Sequence, residues 1–240
     1  MKTRIAFLFI AGILIAVVSS GCGAQTLKQS SSTPSGKLSS KSVKDLVIDK
    51  VTFFKKDHPE AYYVVGQIKN NNNKVVCSDA AYTVNLYDDS NRKLGTDTGK
   101  LPPIFPEGQL WFLSVTIDTD YVSPTRAELK VKPNWKPYDP KKEAPKGKIL
   151  EAHYLPDPRT GEATVVGTYE YPGLESRELR INAVLLNSAG DPVDAYYFFV
   201  DGLPAIETSN PFEIKLGHVL PDVASVETSI FEWPGEHIIW

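Results

Sequence analysis

Apolar and polar residues alternate along most of this chain. In AYTVNLYD, residues 81 to 88, Tyr82, Val84 and Leu86 fall on one side, and Thr83, Asn85 and Tyr87 on the other. In LRINAVLLN, residues 179 to 187, the stripe is Leu179, Ile181, Ala183 and Leu185. Successive side chains of a strand point to opposite faces, so these runs predict strands with one buried and one wet face. Turn-forming clusters separate the runs: KNNNNK, DDSNRK, PEGQ, DPRTGE and NSAGDP. No stretch after residue 44 holds a 3.6-residue period, and 18 prolines oppose long helices. The expected fold class is all-β, built from antiparallel sandwiches.

The pattern recurs. YYVVGQI, residues 62 to 68, returns as ATVVGTY, residues 163 to 169, at an offset of 101. The same offset pairs Ile48 with Ile149, Phe53 with Tyr154 and Phe54 with Leu155. Further on the offset becomes 99. It pairs Tyr82, Val84 and Leu86 with Ile181, Ala183 and Leu185, then Leu113, Val115 and Ile117 with Phe212, Ile214 and Leu216, and lastly Ala127, Leu129 and Val131 with Val226, Thr228 and Ile230. Two tandem sandwiches of about seven short strands are expected, over residues 45 to 133 and 148 to 240. A Pro- and Lys-rich linker, residues 134 to 147, stands between them. A strand glycine weakens packing unless something needs its space, so Gly66 and Gly167 are expected to admit a bulky side chain from the facing sheet.

VNLYDDSNRKLGT, with VVGQIKNNNNK before it and PEGQLWF after it, resembles the FxLYD domain, an immunoglobulin-like module of prokaryotic envelope proteins. The likeness covers most of residues 45 to 133. It departs at the first motif position, where Val84 replaces Phe. The second block keeps VVG and loses the Tyr and Asp, so it is similar to a diverged copy. The resemblance implies a fold and a setting. The family has no common activity to carry over.

The N-terminus has a different texture. Lys2 and Arg4 precede an unbroken apolar run from residue 5 to 18. That is shorter than the roughly 20 residues a spanning helix needs, and it suits a secretory leader over residues 1 to 21. Ser19, Ser20 and Gly21 then lead into Cys22, which resembles the lipobox of bacterial lipoproteins. The resemblance implies a cut before Cys22, a diacylglycerol on its sulfur, and an extracytoplasmic protein held on the cell membrane or outer membrane. Residues 22 to 44 are Ser-rich and read as a flexible tether. With Cys22 acylated only Cys77 remains, in an apolar run, and it reads as a small buried hydrophobe.

Charge narrows the partners. The tether carries Lys28, Lys37, Lys41 and Lys44 and no acid, while residues 148 to 233 hold 5 basic and 14 acidic groups, a net of −9. An acidic outer domain argues against nucleic acid, because phosphates need Lys and Arg. His58, His153, His218 and His237 form no metal-ligand spacing, and no Gly-rich phosphate loop is present, so no metal and no cofactor is expected. Asp88 and Asp89 read as turn residues, and DDSN lacks the further carboxylates of a calcium site. DAYYFFVDGLP places Tyr196, Tyr197, Phe198 and Phe199 in succession. They form either an exposed partner surface together with Trp240, or a strand covered on both sides by the neighbouring domain. The reading is a non-catalytic binding, adhesion or assembly protein, anchored in membrane lipid through Cys22 and meeting an envelope protein partner. The alternative is an envelope hydrolase with its site in the second domain.

Overall fold

In the computed structural model, the described residues are 43–56, 61–114, 116–141, 147–171, 179–200 and 209–232. They form strands and turns and lie within one compact unit, residues 38–240. The first part holds β1 (Val47–Lys55), β2 (Ala61–Lys69), β3 (Val75–Cys77), β4 (Ala81–Tyr87), β5 (Lys93–Lys100), β6 (Gln109–Leu113), β7 (Ile117–Asp118), β8 (Arg126–Lys132) and β9 (Trp135–Pro137). The second holds β10 (Lys148–Asp157), β11 (Glu162–Glu170), β12 (Leu179–Leu186), β13 (Pro192–Val200), β14 (Asn210–Lys215) and β15 (Ser225–Glu232). The described residues are all-β and antiparallel.

The sheet orders repeat. β1-β2-β6 corresponds to β10-β11-β14, and β5-β4-β8 to β13-β12-β15. Each pair of sheets closes on one core. Val64, Ile68, Tyr82, Val84, Leu86 and Phe112 are central to the first. Val165, Ile181, Ala183, Leu185, Phe212 and Ile214 are central to the second. The offset of 99 holds where β4 meets β8, since Tyr82 pairs Val131 and Ile181 pairs Ile230. It fails at β6. Gly66 pairs Phe112 and Gly167 pairs Phe212, so the offset there is 100 and Leu113 is not the partner of Phe212. One residue of slip turns a side chain to the other face. Leu113 accordingly leaves the first core for a third cluster.

The repeated glycines sit against a repeated bulge. The β1–β2 register breaks between Asp49 and Thr52, and the β10–β11 register between Ile149 and Glu151. A Cβ on Gly66 would stand 2.9 Å from Leu129 Cδ2, a side chain of the facing sheet, as expected. A Cβ on Gly167 would stand 2.3 Å from the Glu151 carbonyl and 2.6 Å from the Phe212 ring, both in its own sheet. There the facing sheet is not the reason for the glycine. It makes room for the bulged neighbour strand.

Two further expectations change. The start of the linker belongs to the first sandwich. β9 pairs β3, Trp135 packs on the first core, and the Tyr138 ring meets Phe105 at 5.9 Å. Asn85 is not wet either. It lies on the outer face of β4 and is buried between Thr96 and Glu128 on the flanking strands.

Candidate functional site: the joint between the two sandwiches

A strand buried on one face alternates in burial, yet β12 is buried at every residue from Leu179 to Leu186. Its inward residues fill the second core. Its outward residues, Arg180, Asn182, Val184 and Leu186, meet the first sandwich. Val184, Leu186 and Ala195 pack with Val65, Trp111 and Leu113, flanked by Phe54, Tyr63 and Tyr197. The four larger sheets therefore follow one another as β5-β4-β8, β1-β2-β6, β13-β12-β15 and β10-β11-β14, with a core between each adjacent pair.

Polar groups complete this joint. β6 is an edge strand whose outward carbonyls would lack partners. Arg180 Nη2 donates to Leu113 O at 3.1 Å, and Asn182 Nδ2 donates to Trp111 O at 3.2 Å. The Arg180 guanidinium lies 4.4 Å from the centre of the Tyr197 ring. Burial lowers its pKa to about 10, with Tyr197 the first of the neighbours that partly offset this. Burial also pushes the Tyr197 hydroxyl up to about 12, helped by its hydrogen bond to Tyr63. A cavity of about 10 Å³, lined among others by Trp111, Asn182 and Phe231, lies beside these groups. That is about the room of one water.

At the rim, two lysines of the first sandwich reach the second. Lys56 Nζ meets Asp194 Oδ1 at 2.9 Å and Ala195 O at 2.7 Å, and sits 4.1 Å from the centre of the Tyr196 ring. Lys50 is the bulge residue of β1, with φ of 51°. The bulge aims its amine at Gly190 O and at Asp191, 3.4 Å away, in the β12–β13 turn.

The aromatic stretch takes part in the joint. Tyr196 and Phe198 pack toward the second core. Tyr197 faces the first sandwich, with its ring 5.7 Å from Tyr63. Phe199 shares that face and meets Tyr197 at 5.4 Å. All four are half-buried. Cys22, Trp240, His58 and His237 lie outside the described residues.

The remaining candidates are placed simply. His153 is exposed beside Glu151 at 3.5 Å, and His218 is exposed. Asp88 Oδ1 accepts from the Ser90 hydroxyl and from the amides of Ser90 and Arg92, which closes the turn. The Ser90 hydroxyl, first among these, holds the Asp88 carboxyl below its usual range. Cys77 is buried, and burial pushes its thiol up, which suits packing rather than nucleophilic attack. Among the described residues no three His, Cys, Asp or Glu side chains are placed to hold a metal ion.

Sequence reasoning missed Arg180, Asn182, Lys50 and Lys56. One signal was present. YYVVGQI and LRINAVLL carry apolar residues on both faces, the mark of strands covered twice. No protein-family model matches the chain, and no curated protein matches it.

Proposed function

We propose that this chain is a lipid-anchored envelope protein with a non-catalytic binding or assembly role, and that it works as a rigid spacer. The observation that supports this best is the joint. Apolar packing, a buried guanidinium and two lysine clamps join the sandwiches, so the outer sheets keep one relative orientation. A chain built for a moving cleft between domains would leave that face polar and loosely packed. The leader and Cys22 support the anchoring, and the FxLYD-like motifs at Val84 to Asp88 support an immunoglobulin-like module in an envelope setting. The Tyr196–Phe199 stretch serves the joint in this reading, so a partner meets the outer sheets.

Two measurements test it. Labelled palmitate added to cells making the chain is incorporated into the intact protein and not into Cys22→Ala. A label on both, or on neither, removes the anchor. Crosslinking in intact cells, read by mass spectrometry, captures an envelope protein through outer-sheet residues. Crosslinks confined to a soluble substrate-like molecule in the second sandwich would favour the hydrolase instead.

A further inference from the structure

The two outermost sheet faces carry opposite charge. On the outer face of β5-β4-β8, the register sets Lys100 and Lys132 on either side of Ala81, Lys130 beside Thr83, and Lys93 and Arg126 on either side of Tyr87. All five cations are exposed. The one carboxylate among them is Glu128, which pairs Lys130 at 3.1 Å and accepts from the Tyr87 hydroxyl at 3.0 Å. Five basic groups less one acidic give +4. Thr83, Thr96, Thr98 and Asn85 fill the centre with neutral groups. The outer face of β10-β11-β14 carries Glu151, Asp157, Glu162, Glu170 and Glu213 against Lys148 and Lys215, which gives 2 − 5 = −3. A body charged this way turns one fixed side toward a charged surface.

We propose that the outer face of β5-β4-β8 docks on an anionic phospholipid surface, the bilayer that holds the chain. The proposal deepens the anchored-spacer reading and rests on it. A sheet face brings all five cations to one plane, and flexible lysine stems let each ammonium find a phosphate. The tether enters β1 of this same sandwich and adds Lys28, Lys37, Lys41 and Lys44 without an acid. A tethered body stays at high effective concentration near its surface, so a weak attraction is enough to set its orientation. The acidic face of the second sandwich is repelled by that surface and is left pointing outward. The acidic face of a second copy also complements the basic one, but it must compete with lipid that the tether keeps within reach.

The test removes the acyl chain. The mature chain from residue 22, carrying Cys22→Ala, is floated with vesicles of phosphatidylcholine, alone or mixed with phosphatidylglycerol. Binding is expected only with phosphatidylglycerol, and is expected to weaken roughly tenfold as added salt shortens the screening length below 10 Å. Lys100→Glu/Lys130→Glu/Lys132→Glu weakens it at least about tenfold, while Glu151→Lys/Glu213→Lys keeps it. Circular dichroism verifies that each variant is folded, and Lys→Gln at the same three positions replaces any that is not. Equal binding by the wild type and the lysine variant overturns the proposal. So does binding to neutral vesicles. Salt-sensitive self-association in sedimentation, lost in the lysine variant and with no vesicle binding, would assign the face to a second copy. Because the acyl group is absent, failure here leaves the palmitate result standing, and the reverse also holds.

Discussion

Arg180 shows how one residue is held by its surroundings. A guanidinium buried this deeply is costly unless its donors and its plane are both used. Leu113 O takes one of its donors, and the Tyr197 ring takes its plane. Arg180→Ala leaves that carbonyl without its donor and opens a void. A loss of about 3 kcal/mol is expected in urea unfolding. Arg180→Met, apolar and of similar length, recovers most of the loss, because it removes the desolvation penalty along with the charge. The buried tyrosines also give the fold a pH signature. Burial raises Tyr197 to about 12, and raises Tyr82 and Tyr169 too, from an ordinary value of 10.0. A raised pKa means that the unfolded chain releases the proton first, so stability is full below pH 10 and falls as pH climbs toward 12. Arg180, lowered to about 10, acts in the opposite sense over the same window. Three tyrosines against one arginine give net alkaline unfolding. Chemical denaturation at stepped pH should show decline setting in near pH 10 and a shallower slope for Tyr197→Phe.

At the scale of the element, the two VVG strands separate what repeats from what does not. Gly66 and Gly167 occupy equivalent positions opposite equivalent bulges. Their neighbours differ. An added methyl at 66 meets the flexible end of Leu129, whereas at 167 it meets a backbone carbonyl and an aromatic ring. Side-chain ends yield more readily than backbone. Gly167→Ala is therefore expected to destabilise by about 2–3 kcal/mol and Gly66→Ala by about 1 kcal/mol, measured by thermal melting. Equal effects would mean that the β10 bulge relaxes. Phe54 and Leu155 make the same point. They hold equivalent positions, yet Phe54 is covered at the joint while Leu155 is 51% exposed. One sheet faces another sandwich and its twin does not.

At the scale of the whole molecule, the joint predicts cooperativity. Two domains on a loose linker melt separately, whereas domains that share a buried core melt together. Calorimetry should show one transition with matching calorimetric and van't Hoff enthalpies. Ala195, fully buried in the shared cluster, is the place for a wedge. Ala195→Arg should split the melt into two transitions while the far-ultraviolet spectrum persists. A wild type that already melts in two steps would rule out the rigid spacer. Lys56 adds to the coupling through Asp194, where both side chains are largely buried and salt screens little. High salt should therefore leave the single transition in place.

Local periodicity along the chain specified the strands and their boundaries. Alternation set the strands, the turn clusters bounded them, and self-similarity announced two copies of one sheet arrangement. Those signals survive because a strand's two-residue period and a turn's chemistry depend on neighbours along the chain. Which outward faces stay wet was settled only when the sheets packed. Whether Val184, Trp111 or Tyr197 meets water depends on residues some seventy or more positions away, and no local pattern encodes that distance. Sheet assembly also decided charge. Residues 45 to 133 hold 11 basic and 12 acidic groups, nearly neutral as a string. Register gathers five of those cations onto one sheet face with a single acid among them, because strands brought side by side share a face whatever their separation along the chain.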